Sequence, residues 1–212
     1  RFDLLVIGGG IVGAGIANEA AQAGLAVALV DRGDFGGATS SASSKLIHGG
    51  LRYLRLGDVK LVREAHRERR ALLKTVAPHL VRRLPFLFPL YRDGPYRPTT
   101  LRLGLALYSG LAGDRLGGLR GCGVYIDSYT HDERLCLANV RAPAAAGGVV
   151  ANDAEVVALR HVAAKVRGAE VRDRLSGEPL AVEARTVVNA TAGWASTIAA
   201  PADRATREES PS

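Results

Sequence analysis

The chain contains no methionine and only two cysteines, and both features restrict the classes of protein to which it can belong. Cys122 and Cys136 belong to no Cys-x-x-Cys pair and have no paired histidine, which argues against a metal site and against a disulfide scaffold. Cys136 lies in an apolar run and is predicted to be a small buried residue. Few cysteines fit a reducing, cytoplasmic environment. Because methionine is absent, Arg1 is not a natural translation start, and we expect a fragment of a longer protein.

Long hydrophobic runs are also absent, and none approaches the roughly 20 residues that a membrane-spanning helix needs. Any membrane contact is therefore expected to be peripheral. The net charge is +7, but no nucleic-acid motif accompanies it, so we predict no nucleic-acid partner. We interpret the positive charge as an arginine-rich surface exposed to solvent. Attraction of anionic substrates or lipid headgroups is the alternative that the charge leaves open. With 212 residues and 47% hydrophobic content, the chain can bury a core.

The first 31 residues have the pattern of a βαβ unit. Residues 2–7 form a near-continuous apolar run, as a buried parallel strand requires. Glycines follow at Gly8, Gly10 and Gly13 and lead into a helix of small residues that ends at Gly24. A second apolar strand, 25–30, is closed by an acidic residue.

Each glycine of this unit has a separate predicted role. Gly8 makes the tight turn, Gly10 lets the main chain approach a pyrophosphate, and Gly13 lets the helix pack against the sheet. Phosphate would lie at the positive end of the helix, and Asp31 is placed to accept hydrogen bonds from an adenosine ribose. A glycine-rich turn without a ligand is the alternative. The pattern predicts a dinucleotide-binding site.

A second informative block extends from Ala38 to Tyr53. Its hydroxyl-bearing and glycine residues allow close backbone approach to a flat cofactor, and His48, Arg52 and Tyr53 add an acid/base, a fixed cation and a phenol. A flexible linker over 39–44 is the alternative, but the sequence that follows does not have linker composition.

The rest of the chain carries weaker secondary-structure patterns. Apolar periodicity predicts an amphipathic helix over 61–80, a strand over 84–90, a helix over 101–111, a helix from a capping box at 130–133 to about Ala142, a strand starting at Val149, a hairpin of 164–173 with 180–185, and a strand over 186–191. Pro143 is expected to stop the helix before it. Residues 199–212 lack aliphatic side chains and are expected to be disordered.

In chain order these motifs resemble the FAD-dependent glycerol-3-phosphate dehydrogenases. The opening glycines, the block 39–53, the segment 127–139 and the strand 188–191 carry the resemblance, which covers most of residues 2–196. It implies an α/β fold, with a doubly wound, Rossmann-like FAD-binding domain interrupted by part of an inserted α+β substrate domain. It also implies oxidation of sn-glycerol 3-phosphate to dihydroxyacetone phosphate, electron transfer to a quinone or another acceptor, and a homo-oligomer in the intact enzyme.

The resemblance also implies domain boundaries. The FAD-binding domain would comprise residues 1–82 and, with its β-hairpin, 122–198. Residues 83–121 would form part of the substrate domain, and 199–212 a disordered tail.

The resemblance assigns the cofactor contacts residue by residue. The residues implied to bind FAD are Gly8, Gly10, Ile11, Val12, Gly13, Asp31, Arg32, Thr39, Ser40, Ser44, Lys45, Leu46, Val156 and Ala190. Two positions depart from the family. Asp31 stands where Glu is usual, and the glycine of the segment Asn189–Trp194 is displaced by one position.

Oxidation of a secondary alcohol requires a hydride acceptor and a base for the hydroxyl proton. His48 is suited to be that base, Arg52 to hold the substrate phosphate with two hydrogen bonds, and Tyr53 to hydrogen-bond the substrate. The alternatives are that His48 only bonds flavin oxygens, Arg52 forms a structural ion pair, and Tyr53 belongs to the core. The alternatives for the function of the chain are an amine or 2-hydroxy-acid oxidase of the same fold, or a non-catalytic nucleotide-binding fragment. Because family members continue beyond this length, we expect the chain alone to be inactive.

Overall fold

The computed structural model of the chain describes residues 1–90, 97–112 and 122–198. The predicted disordered tail lies outside the described residues. Contacts divide the chain into two units, Arg1–Ser43 with Asp132–Ser212 and Ser44–His131. These boundaries differ from the 82/83 and 121/122 boundaries expected from the sequence, and the assignment of each part to a cofactor or substrate domain remains a prediction.

The described residues contain nine strands and five α-helices, and residues 195–198 are also helical. The strands are β1 (Phe2–Ile7), β2 (Val27–Val30), β3 (Leu46–Ile47), β4 (Val81–Pro89), β5 (Cys122–Thr130), β6 (Val149–Ala151), β7 (Ala154–Val162), β8 (Lys165–Asp173) and β9 (Pro179–Asn189). The helices are α1 (Ile11–Gln22), α2 (Leu51–Arg55), α3 (Val59–Ala71), α4 (Pro98–Ala112) and α5 (Asp132–Ala145). A π-helical turn (Leu72–Val76) follows α3, and a 3₁₀ turn (Ala192–Trp194) follows β9. No helix in this described part has the length and apolarity to cross a membrane.

The first unit is built on a six-stranded sheet in the order β6-β2-β1-β9-β8-β7. Strands β6, β2, β1 and β9 are parallel, and β9, β8 and β7 continue as antiparallel neighbours. This confirms the predicted α/β class with a parallel sheet. It also confirms the β1-α1-β2 start, because strand β1 lies between two parallel partners and its last four residues are buried.

The two faces of β1 contribute to different apolar clusters, since successive side chains of a strand point to opposite faces. Leu4 and Val6 pack with the small residues of α1 and with Cys136 and Val140 of α5. Leu5 and Ile7 pack with the opposite cluster, which β8 and β9 supply. Helices therefore cover one face of the parallel strands, and antiparallel strands cover the other.

Strand β9 replaces two predicted strands, 180–185 and 186–191. Its first half pairs with β8 and its second half pairs with β1, as in the pair Leu4↔Thr186. The side-chain pattern changes where the partner changes, so a continuous strand looks like two in the sequence. The predicted β8–β9 hairpin is confirmed.

Helix α5 starts later and ends later than predicted. The capping-box prediction is wrong, because Thr130 is the last residue of β5 and its hydroxyl donates to the Leu80 carbonyl at 3.3 Å. Pro143 does not stop the helix, because it stands in the last turn, where only two helical residues follow it, and its ring is fully buried. The carbonyl of Pro143 accepts the Gly148 N–H at 2.9 Å, which closes the helix end.

The second unit contains a three-stranded antiparallel sheet in the order β3-β5-β4. Helix α3 ends at Ala71 and the π-helical turn ends at Val76, so the helix predicted to extend to residue 80 is shorter than expected. The predicted strand 84–90 and helix 101–111 are confirmed within β4 and α4. Strands β3, β5 and β7 were not predicted.

Candidate functional site

The turn between β1 and α1 and the first turn of α1 leave no room for a side chain at Gly8 and Gly13. Gly8 has φ +104°, and a Cβ there would lie 2.8 Å from the Ala190 carbonyl oxygen. A Cβ on Gly13 would overlap the Gly8 carbonyl oxygen. Ala190 itself donates its N–H to the Ile7 carbonyl at 2.8 Å, so the end of β9 lies against this turn. The structure thus brings the predicted residues Gly8, Gly13 and Ala190 together.

The N-terminus of α1 is the second feature of this turn. Its N-cap, Gly10, offers no side-chain cap among the described residues, and no acidic residue occurs in the first helical turn. Ser40 reaches this end, because its hydroxyl accepts the Ile11 N–H at 2.9 Å. Ile11 and Val12 are 40% and 65% exposed. An accessible helix N-terminus favours a phosphate, so the cradle fits the pyrophosphate of a dinucleotide.

Asp31 directly follows β2, and its side chain hydrogen-bonds the glycine turn that follows β1. One carboxylate oxygen accepts the Gly9 N–H at 2.6 Å, and the other accepts the Gly33 N–H at 2.9 Å. The Asp31 carbonyl accepts the Ala154 N–H of β7 at 2.8 Å. Each carboxylate oxygen can accept a further hydrogen bond, so the predicted ribose contact is compatible with these bonds.

Gly9 is a site residue that the sequence analysis did not assign. A Cβ on Gly9 would overlap the ring of Phe35. On its other side, the Cys136 thiol donates to the Gly9 carbonyl at 3.4 Å. The prediction that Cys136 is buried is confirmed, and burial raises the pKa of its thiol. The run of three consecutive glycines, 8–10, was the available signal, but the dinucleotide motif treats its middle position as variable.

Three further predicted cofactor residues lie in the first unit. Arg32 is exposed, and its guanidinium carbon lies 5.6 Å from the centre of the Trp194 ring. Thr39 is exposed, and its carbonyl accepts the Ala42 N–H at 3.2 Å. Val156 lies on β7 and packs against the apolar cluster of β1 and β2. Their contacts with a cofactor remain predictions.

The remaining predicted residues, Ser44, Lys45, Leu46, His48, Arg52 and Tyr53, all lie in the second unit. Lys45 has φ +59°, a left-handed conformation that is costly outside glycine and is often found at ligand-binding loops. Leu46 opens β3, and His48 is exposed directly after that strand. Arg52 and Tyr53 lie on α2, the short helix that follows His48 and the two glycines after it.

The loop after β3 rests on a buried polar network that the sequence analysis missed. The Gly49 N–H donates to Asp127 Oδ1 at 2.9 Å and to the Tyr108 hydroxyl oxygen at 3.0 Å. Tyr108 donates to the same carboxylate oxygen at 2.9 Å, and Arg69 pairs with it. The His66 ring meets the Tyr108 ring edge-on, 4.5 Å between centroids. Burial, reinforced by the Asp127 charge, raises the pKa of Tyr108, so its hydroxyl stays a donor.

Comparison with known proteins agrees with this architecture. The family model described as FAD dependent oxidoreductase matches residues 3–210. The chain is 42% identical over 94% of its length to a glycerol-3-phosphate dehydrogenase of Mycobacterium leprae, and 34% identical over 91% of its length to an alpha-glycerophosphate oxidase of Enterococcus casseliflavus. It spans 38% and 36% of the lengths of those two relatives.

A solved structure shares the same architecture. The FAD complex of glycerol-3-phosphate dehydrogenase from Bacillus halodurans superimposes with a TM-score of 0.71 at 31% identity, over 95% of this chain and 36% of that one. Together with the family match, which includes nearly every residue, this result decides the family. The chain belongs to the FAD-dependent oxidoreductases.

Proposed function

We propose that this chain forms the FAD-binding part of an enzyme that oxidises sn-glycerol 3-phosphate to dihydroxyacetone phosphate. The observation that carries the proposal is the glycine cradle at an accessible helix N-terminus, in a chain 42% identical to a protein named glycerol-3-phosphate dehydrogenase. Bound FAD would supply the flavin ring that accepts a hydride from the substrate carbon.

In this proposal the first unit holds the dinucleotide. The N–H groups at the start of α1, from Gly10 to Gly13, bind the pyrophosphate, and Asp31 binds the adenosine ribose. Ser40 keeps the segment that follows β2 close to this end, because its hydroxyl already contacts the first turn. The residues proposed to contact the cofactor towards its flavin ring are Thr39, Ser44, Lys45 and Leu46.

The second unit supplies the groups for the substrate. His48 accepts the hydroxyl proton, Arg52 binds the phosphate with two parallel hydrogen bonds, and Tyr53 orients the substrate by a hydrogen bond. The exposure of His48 is consistent with this role, since a proton acceptor must reach the substrate.

The electron acceptor in this proposal is a quinone or another oxidant. The names of the relatives include a dehydrogenase and an oxidase, so neither class of acceptor is favoured by name. We also propose a cytoplasmic location, peripheral membrane contact and a homo-oligomeric intact enzyme. Co-sedimentation with anionic lipid vesicles and the mass in solution test the last two.

The proposal is tested by dye reduction with the whole FAD-loaded protein. Glycerol 3-phosphate should reduce an artificial acceptor, whereas glycerol should do so only weakly and glycine, proline and lactate should not. Turnover of an amine or a hydroxy acid in place of glycerol 3-phosphate would overturn the proposal. A flavin spectrum without any turnover would instead identify a nucleotide-binding protein.

Replacement of Asp31 by Ala should weaken FAD binding by roughly 1–3 kcal/mol, the range for a hydrogen bond to a charged group. It should also leave the Gly9 and Gly33 N–H groups without their acceptor, which loosens the turn. Calorimetric titration with FAD measures the first effect. Asp34→Ala is the control, because this exposed carboxylate accepts only from its neighbour Phe35 among the described contacts. Unchanged FAD affinity in the Asp31 variant would refute the ribose contact.

Replacement of Arg52 by Lys should raise the KM for glycerol 3-phosphate at least tenfold, because an ammonium group does not reproduce the planar two-point contact. The low activity towards unphosphorylated glycerol should hardly change. Steady-state kinetics on both substrates measure this difference, with the exposed Arg63→Lys on α3 as control. Equal losses on both substrates would assign Arg52 a structural role.

A further inference from the structure

The loop that carries His48 is exposed at one residue and buried at the next two. His48 faces solvent, whereas Gly49 and Gly50 are buried. A Cβ on Gly49 would overlap the His66 ring and would lie 2.5 Å from the Tyr108 hydroxyl oxygen. The main chain at Gly49 therefore lies directly on these two side chains and has no room to shift towards them.

The acceptors for the Gly49 N–H belong to charged and polar groups with almost no access to water. The side chains of Arg69 and Asp127 are 4% and 6% exposed. Arg69 Nη1 also donates to the Ile126 carbonyl at 2.9 Å, which fixes the guanidinium on strand β5. Because a buried carboxylate is costly unless it is paired and hydrogen-bonded, its three donors hold Asp127 in one position.

The register of the sheet explains why side chains, rather than a strand carbonyl, accept the Gly49 N–H. Strand β3 pairs with β5 through Leu46↔Tyr129 and Ile47↔Ser128, and the ladder ends there. One more step of that ladder would place His48 opposite Asp127. The chain leaves the sheet instead, and the next amide is satisfied by the Asp127 carboxylate and the Tyr108 hydroxyl rather than by a strand carbonyl. His48 can thus turn outward while its neighbour stays anchored.

We propose that Arg69, Tyr108 and Asp127 are positioning residues, which fix the Gly49 amide and so hold the His48 imidazole where it removes the substrate proton. This inference rests on the proposed function. None of the three side chains acts as a catalytic residue, because all are buried beneath the loop. Turnover should then depend on an acceptor for the Gly49 amide and not simply on the stability of the fold.

Two variants of the whole FAD-loaded protein separate the effect of losing the acceptor for the Gly49 amide from the effect of losing stability. Asp127→Asn breaks the ion pair with Arg69 but keeps an oxygen that can accept the Gly49 N–H. The triple variant Arg69→Met/Tyr108→Phe/Asp127→Leu removes both charges and both acceptors, and apolar replacement of a whole buried ion pair often restores stability. Tyr125→Phe is the matched control, because this ring packs edge-on against Tyr108 and the described residues offer its hydroxyl no hydrogen bond.

Three quantities are measured: the unfolding temperature, hydrogen exchange of the Gly49 amide, and kcat and KM for glycerol 3-phosphate. We expect Asp127→Asn to be the less stable of the two variants, with slow exchange and a kcat within tenfold of the parent. We expect the triple variant to be the more stable, with exchange about tenfold faster and kcat about 100-fold lower at similar KM, the loss that follows from a displacement of about 1 Å. The control should match the parent in all three.

A kcat that follows the unfolding temperature across these variants would overturn the inference, as would unchanged Gly49 exchange in the triple variant. If the triple variant does not fold, Tyr108→Phe decides. It keeps the ion pair and should lower kcat about fivefold with faster Gly49 exchange; unchanged kcat and exchange would overturn the inference. A parent protein that does not oxidise glycerol 3-phosphate would refute the proposed function, while the exchange measurements would still decide whether the network fixes Gly49.

Discussion

Replacement of Gly13 by Ala should strongly weaken FAD binding and lower the stability of the first unit. The new methyl group would overlap the Gly8 carbonyl oxygen and lie close to the Ala190 methyl group, and because the backbone fixes the position of a Cβ, it cannot rotate away from them. The start of α1 would have to move away from β1, which costs about 1–3 kcal/mol in packing and displaces the N–H groups that bind phosphate. We expect FAD affinity to fall at least 100-fold, or about 2.7 kcal/mol, in a fluorescence titration.

Gly15→Ala is the matched control for this prediction. It lies in the same helix, but nothing comes within 4 Å of its Cβ position, and alanine is favoured over glycine inside a helix by up to about 1 kcal/mol. This variant should bind FAD normally and unfold at a slightly higher temperature. If Gly13→Ala also binds FAD with parental affinity, the close contact between α1 and β1 does not define the cofactor site.

Replacement of His48 by Gln should lower kcat for glycerol 3-phosphate by about 100- to 10,000-fold, the usual contribution of a general base. Glutamine keeps a similar length and can still donate a hydrogen bond, but it does not accept the proton. FAD affinity and the flavin spectrum should change little, because the dinucleotide is held by the first unit. Stopped-flow reduction of the flavin by substrate measures the chemical step directly.

His79→Gln is the control, because His79 is also exposed and lies in a turn between the π-helical turn and β4. Its reduction rate should equal that of the parent. A His48→Gln rate within tenfold of the parent, together with a changed flavin spectrum, would mean that His48 bonds the flavin and that another group takes the proton.

The first part of the fold could be predicted because its signals are local. The apolar run of β1, the glycines and the small residues of α1 follow one another within two dozen residues, and each has one structural meaning. The cradle around Gly8 and Gly13 follows from the same motif. Asp31 could likewise be placed at the end of β2, although its bonds to Gly9 and Gly33 depend on backbone geometry that no sequence pattern expresses.

The buried network could not be predicted because its members are distant in the sequence. Arg69, on a helix rich in charged residues, looks no different from its exposed neighbours, and Tyr108 looks like one more residue of an apolar helix. Only the packing of α3 and α4 with strand β5 brings them to Asp127. The error at Pro143 has a similar origin, since its burial, and not its helix propensity, decides where α5 ends.

The change of partner along β9 has a consequence for how the chain folds. β1 is made before β9, so the neighbour on one side of β1 arrives only with residues 184–189. Until then, β1 presents an open row of N–H and C=O groups beside some of the most apolar residues of the chain, a surface that recruits strands from other molecules. Because such distant pairings form slowly, the nascent chain should be most prone to aggregate before Asn189 has left the ribosome, and a chaperone that shields β1 should improve its yield.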